Sequence, residues 1–363
     1  MNATGKKHLD YLDALRGCAV LAVYLQHSLG YVYHTYPAHP WHGYLKFLIA
    51  ESIDWGQFGV VLFFLISGFI IPSSLKAGTS LSKFFISRAF RLYPAYWIAL
   101  ALIVISAGYM QHSPPSYSYT QILANLTMVP KIFGSTEMSG VFWTLFIEIL
   151  FYASCAILFK LKWLDQPIAI AIIAIGLNLT TPLAILLNKI YQLGIPVQFV
   201  LFHLSFLFAG NLLRLAIVEK GKAAIGSVLI FLPLCLLNIV IATGLMFPVP
   251  EAAARGFVMF RAESNVHAYV LAVGFFIYAI YLKSLNNRFL IELGKISYSV
   301  YLLHMLCLAL VMELFPPQTV AGSATYFIAG AVMSFLAAKL SFKYIEQPAI
   351  EFGRKIIKSR GYA

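Results

Sequence analysis

Apolar runs close to 20 residues long recur along the whole chain, separated by short polar stretches. They fall near 12–31, 56–76, 92–111, 141–159, 166–187, 196–218, 225–246, 266–284, 294–315 and 324–342. A helix of about 20 residues crosses the roughly 30 Å hydrocarbon layer. In that layer a helix is the form in which such a run satisfies its own backbone. The pattern predicts an all-α, polytopic membrane bundle of about ten transmembrane helices. Residues 1–363 are expected to form one integral-membrane domain with no separate soluble domain. An even number of crossings puts both termini on one side.

Composition agrees with this pattern. The chain is 60% hydrophobic and 11% charged, whereas a soluble domain has about a quarter of its residues charged. The first run contains Asp13 and Arg16 and has no small-residue cleavage site, so it is expected to be a retained span and not a signal peptide. Cys18, Cys155, Cys235 and Cys307 all lie in apolar runs without metal-ligand spacing. They are expected to be free buried thiols, and no metal is expected.

The net charge of +12 acquires a meaning from where the cations sit. Of the 26 Lys and Arg, all but Lys46, Lys131, Lys189, Arg255 and Arg261 fall in the loops and ends that share a side with the termini. Excess Lys and Arg marks the cytoplasmic side, so both termini are expected in the cytoplasm. The same asymmetry accounts for the basic charge without nucleic acid, which is not expected as a partner. The longer outer loops, 32–55, 112–140 and 247–265, are too short to form a domain.

Polar residues inside apolar runs are the candidates for chemistry, because an ionisable group at membrane depth is costly. Arg16 and His27 stand eleven positions apart in the first run. That spacing puts them within about 20° of one helical face and about 16 Å apart along it. A fixed cation thus lies near one membrane surface and a titratable imidazole nearer the other. Glu148 enters from the outer side at a depth comparable to that of His27. A carboxylate beside a histidine is the usual make-up of a general base, so the two are expected to pair. An ion pair that only fixes helix packing is the alternative.

Arg88 and Arg91 stand at i, i+3 on one helical face, an arrangement suited to gripping phosphate. With Arg16 they would form a basic cytoplasmic mouth for a phosphorylated donor; simple anchoring at the membrane surface is the plainer reading. Ser67-Gly68 at mid-membrane is a small-residue site for close helix approach, or else the wall of a narrow acyl channel. Ser297, Tyr301 and His304 at i, i+4, i+7 form a polar stripe facing the bundle interior. Asn125 and the segment Tyr344 to Pro348 are weaker signals, a loop contact and a cytoplasmic helix end.

Taken in order, these motifs resemble the acyltransferase 3 family of integral-membrane acyltransferases, from Leu12 to Pro348. The arginine–ten residues–histidine signature matches Arg16 and His27, and the apolar run ending Ser-Gly-Phe matches Ser67 to Phe69. Arg-x-x-Arg-x-x-Pro matches Arg88, Arg91 and Pro94. Trp-Ser-Leu-x-x-Glu-x-x-Phe-Tyr matches Trp143 to Tyr152, with Thr144 in place of serine. Ser-Tyr-x-x-Tyr-Leu-x-His matches Ser297 to His304.

The resemblance implies a ten-helix fold that moves acyl groups, usually acetyl, from cytoplasmic acyl-CoA to an extracytoplasmic hydroxyl. Family acceptors include O-antigens, exopolysaccharides, lipid-linked sugars and lipochitooligosaccharides. On this reading acyl-CoA is the donor substrate, held by Arg16, Arg88 and Arg91, and no cofactor is bound. His27, oriented by Glu148, acts on the acceptor; Ser67, Trp143, Ser297, Tyr301 and His304 support the channel or the acceptor side. An acyl-His27 intermediate is the rival mechanism. The expected partners are acyl-CoA, a saccharide or lipid-linked saccharide and membrane lipid, with an accessory protein left open. The expected location is the bacterial cytoplasmic membrane. Many relatives carry an extra C-terminal hydrolase-like domain, and this chain is expected to resemble the stand-alone members. A transporter or flippase for a lipid-linked saccharide is the alternative from a different class, since buried charges suit it too.

Overall fold

The computed structural model describes residues 3–107, 117–191, 197–246, 262–282 and 285–362. Expectations resting on Arg255, Arg261, Lys283, most of the 247–265 loop and the 112–116 part of the second loop lie outside the described residues. Every regular element described is helical. In chain order the helices are α1 (Ala3–Thr35), α2 (His42–Lys46), α3 (Trp55–Ile70), α4 (Leu81–Ala107), α5 (Tyr119–Leu126), α6 (Trp143–Lys160) and α7 (Pro167–Tyr191). They continue with α8 (Val197–Ile217), α9 (Lys222–Met246), α10 (Ala262–Leu282), α11 (Arg288–Lys295), α12 (Ser297–Leu314), α13 (Val320–Ser341) and α14 (Gln347–Ser359).

Among the described residues nine segments are long and apolar enough to cross a membrane, and they contain α3, α4, α6 to α10, α12 and α13. The tenth expected span is α1, which is long enough at 33 residues but is diluted by Asp13, Arg16, Gln26 and His27. Each expected run therefore corresponds to one long helix. The protein is an integral, multi-pass helical bundle. The short helices α2, α5, α11 and α14 fill the connections and the C-terminal end.

Side-chain caps start several elements where the sequence places an Asp, Asn, Ser or Thr. Asp54 accepts from the Gln57 N–H at 2.8 Å, Asn287 from Leu290 at 3.1 Å and Thr319 from Gly322 at 3.1 Å. Prolines 94, 182 and 233 sit inside α4, α7 and α9, which neighbouring helices tolerate in a bundle. All four cysteines are free; three are buried and Cys18 is partly exposed.

Glycines set the closest helix contacts. A Cβ on Gly68 would stand 1.8 Å from the Leu207 carbonyl oxygen of α8, and one on Gly210 would stand 2.3 Å from the Leu65 oxygen of α3. These two helices therefore meet backbone to backbone, as small residues permit in membranes. The same device joins α1 to α11, where a Cβ on Gly17 would meet the Leu290 oxygen at 2.2 Å and one on Gly294 the Asp13 oxygen at 1.7 Å. The packing reading of Ser67-Gly68 is thus correct for the glycine, and the serine faces elsewhere.

Candidate active site

A cavity of about 820 Å³, counted to its open mouth, lies among α1, α3, α4, α6 and α12. Arg16, Arg88 and Arg91 line it together with Ser67, Glu148 and Ser297. With Tyr301, seven residues that the sequence singled out on five separate helices thus share one space. Phe63, Phe64, Ile70 and Leu145 supply its apolar wall.

The arginines are held differently. Arg16 donates to Asp13 at 2.7 Å, one turn back on its own helix. Arg88 donates through Nη2 to Ser74 Oγ at 3.1 Å, and its guanidinium lies against the Phe84 and Tyr152 rings at 5.5 and 5.6 Å. Its Nε is buried and has no hydrogen-bond acceptor among the described residues. Neither Arg88 nor Arg91 has an ion-pair partner among the described residues. Both guanidinium groups are half-buried, and their forked N–H donors suit a charge-assisted hydrogen bond to an anion entering the cavity. The cavity therefore fits a phosphorylated or carboxylated ligand.

Glu148 and His27 do not pair, which corrects the expected dyad. The Tyr152 hydroxyl donates to Glu148 Oε1 at 2.6 Å, and the carboxylate faces the arginine cavity and the charge of Arg16. The reason is the depth of α6. Thr144, in its first turn, shares a 2.9 Å hydrogen bond with the Tyr301 hydroxyl, which fixes the register of α6 against α12. Glu148 lies four residues further along α6, about 6 Å toward the arginines. His27 contacts α12 at His304, three residues beyond Tyr301 the other way, by about 4.5 Å. The segment 117–142 brings α6 in below the end of the bundle. Asn125 is fully buried there, accepting from Met138 N at 3.1 Å and donating to the Gln121 and Thr136 carbonyls, both at 2.9 Å.

His27 is instead bound to a second imidazole, with Nδ1 2.9 Å from His304 Nε2 and the rings stacked at 5.1 Å. The backbone determines who donates. His304 Nδ1 lies 3.1 Å from the Val300 carbonyl and 2.9 Å from that of Tyr301, and carbonyls only accept. Nδ1 of His304 therefore carries the proton, and Nε2 of that neutral ring is an acceptor. His27 must then donate through Nδ1, which leaves the lone pair of its Nε2 unprotonated. No described residue bonds that atom, and His27 is only half-buried while His304 is fully buried. The polar stripe of α12 predicted His304 to face inward, but nothing in local sequence names its partner on α1.

Tyr301 separates the two regions. Its hydroxyl donates to the Val141 carbonyl at 3.1 Å, it lines the cavity, and its ring lies 6.0 Å from that of His304. Trp143 stands outside the cavity lining, edge-on to His203 at 5.1 Å and Phe64 at 6.5 Å. Three residues with a part in the site had no separate signal. Tyr152 and Tyr298 line the cavity. Glu346 is a buried carboxylate that accepts from Ser299 at 3.0 Å and faces the charges of Arg91 and Arg16. The segment Tyr344 to Pro348 hinted only at a helix end.

Comparison with known proteins places this geometry in a family. The profile described as an acyltransferase domain matches residues 9–340. Nodulation protein 10 of Rhizobium leguminosarum bv. viciae is 23% identical over 99% of this chain and 98% of its own length. Peptidoglycan O-acetyltransferase OatA of Listeria monocytogenes serovar 1/2a is 25% identical over 94% of this chain, which spans only 56% of that longer protein. Exopolysaccharide production protein ExoZ of Rhizobium meliloti is 39% identical over a 106-residue stretch, 27% of this chain and 32% of its own. No solved structure matches. With the profile running through both the arginine cavity and the imidazole pair, the chain belongs to the acyltransferase 3 family of integral-membrane acyltransferases.

Proposed function

We propose that the protein moves an acyl group, acetyl in the simplest case, from acyl-CoA to a hydroxyl of a saccharide on the far side of a bacterial cytoplasmic membrane. The observation that carries this reading is the arrangement along α1. A basic cavity lies at one end, and an imidazole with an open lone pair lies about 16 Å further along the helix. Arg16, Arg88 and Arg91 hold the donor phosphates, and the arm bearing the thioester rises past Ser67 and Ser297 toward Tyr301. The positive-inside asymmetry of the loops favours the cytoplasm for the arginine end.

His27 Nε2 takes the proton of the acceptor hydroxyl as its oxygen bonds to the thioester carbonyl carbon. The C–S bond then breaks and the CoA sulfur leaves as the thiol, receiving the proton that His27 took from the acceptor, which returns the imidazole to its starting form. A thioester is already activated, so positioning plus one base suffices. His304 holds the reactive tautomer, the part first expected of Glu148. Glu148 contributes to the donor cavity, balancing the arginine charge beside the Tyr152 hydroxyl. The names of OatA and ExoZ support a surface or secreted glycan as acceptor.

The test uses sealed vesicles of known orientation. Acetyl-CoA labelled in the acetyl group and supplied only at the arginine end should label a saccharide enclosed at the opposite face. Free CoA should stay on the donor side. Labelling that needs donor and acceptor on the same side, or saccharide transport without acyl-CoA, would overturn the reading.

A further inference from the structure

A second pocket, of about 850 Å³ counted with the solvent at its open mouth, opens beside the first, between the start of α4 and the end of α14. Lys83 contributes from α4, and Arg354 and Lys358 contribute from α14. The last two stand at i, i+4 and so share a helical face. None of the three has an ion-pair partner among the described residues. The hydroxyls of Ser74, Thr79 and Ser87 complete the polar wall.

The two cavities meet at one hydrogen bond, because Ser74 lines the second pocket while its Oγ accepts from Arg88 of the first. The helix that brings Arg354 and Lys358 is held firmly to α4. A Cβ on Gly353 would meet Phe90 at 2.8 Å, and the Phe90 and Phe352 rings pack edge to face at 5.6 Å. Cations that only anchor a helix to a membrane surface need not converge. These three come from two elements onto one concavity.

We propose that this pocket binds the phosphorylated nucleotide head of the donor, so that one elongated ligand runs from the α4–α14 pocket past Ser74 and Arg88 into the arginine cavity. This rests on the acyl-CoA reading above. The ligand chemistry is a terminal phosphate monoester on a nucleoside. A lipid phosphate headgroup offers the same charge, and the experiment separates the two sources.

The protein is studied in nanodiscs of zwitterionic lipid and, in parallel, with anionic lipid added. The probes are adenosine 3′,5′-bisphosphate for binding, and acetyl-CoA, 3′-dephospho-acetyl-CoA and S-acetylpantetheine for turnover. In the triple variant Lys83→Ala, Arg354→Ala, Lys358→Ala the bisphosphate should bind about tenfold or more weakly, and the KM for acetyl-CoA should rise by a similar factor. The KM for S-acetylpantetheine, which has no nucleotide head, should stay within about twofold of the wild type. The preference for acetyl-CoA over its dephospho form should also collapse. All three side chains are at least partly exposed, and the single variant Arg354→Ala repeats the measurement with less change of charge. Equal bisphosphate affinity in wild type and variants overturns the proposal, as does an effect confined to the anionic nanodiscs. A wild type that turns over acetyl-CoA with a KM indifferent to these substitutions defeats this site alone. A wild type that does not use acetyl-CoA defeats the donor reading as well.

Discussion

Replacing His304 by leucine tests the imidazole pair most directly. The change puts an apolar side chain of similar size in a fully buried position but removes the acceptor of His27 Nδ1 (2.9 Å). A net hydrogen bond is worth about 0.5–1.5 kcal/mol, which biases the tautomer and ring orientation of His27 by about 2- to 13-fold. Loss of that bias leaves the Nδ1 proton unpaired, and the ring then turns or moves its proton to Nε2, where it blocks proton abstraction. General-base assistance as a whole is worth about 10² to 10⁴ in rate, so His27→Ala sets the floor. Acyl transfer in His304→Leu should therefore fall in kcat by about 2- to 13-fold, short of the loss in His27→Ala, with the KM for acyl-CoA unchanged because the donor cavity lies on the other side of Tyr301. His304→Gln, whose carbonyl reaches about as far as the lost Nε2, should recover most of the rate. The assay is single-turnover acetyl transfer in nanodiscs at matched protein, with thermal stability measured in parallel. Full kcat in His304→Leu would refute the tautomer argument. Equal loss in the leucine and glutamine variants would reduce His304 to a packing residue.

Two further outcomes are expected. Arg88→Ala and Arg91→Ala should each raise the KM for acyl-CoA by about tenfold or more, as a charge-assisted hydrogen bond is worth about 1.5–3 kcal/mol. Lysine should rescue only in part for want of the guanidinium fork, and a double alanine variant with wild-type donor affinity would make these residues mere topology anchors. Gly68→Ala should lower the melting temperature in detergent and the amount of protein in the membrane. Its methyl group would meet the Leu207 carbonyl at 1.8 Å, and overpacking of this kind costs about 1–3 kcal/mol or more. An unchanged melting curve would show that α3 and α8 are not in backbone contact.

The spans were legible because a run of apolar residues at bilayer length has few alternatives. The donor cavity was legible for a similar reason: Arg16, Arg88, Arg91 and Glu148 are conspicuous where charge is costly, and all four do share one space. The pairing of the buried groups was not. Counting inward from the loop put Glu148 level with His27, but the register of α6 is set by Thr144 against Tyr301 and by the inward-folded segment around Asn125. The first of these joins residues 157 positions apart. The tautomer of His27 depends likewise on α12, and α14 is a short amphipathic helix that hydropathy alone would pass over.

The contact between Thr144 and Tyr301 has a consequence for the membrane itself. A protein that handed acyl groups from one compartment to the other through a standing pore would short-circuit the ion gradients on which its cell depends. If the donor arm takes the route proposed above, the tyrosine ring, tied to Thr144 and to the Val141 carbonyl and 6.0 Å from the His304 ring, would act as a stopper between the basic chamber and the histidines. On the proposed reading it is displaced only when a donor arm fills the passage in its place. Transfer and insulation then depend on the same side chain, and a protein trimmed at Tyr301 should conduct protons before it gains any speed as a catalyst.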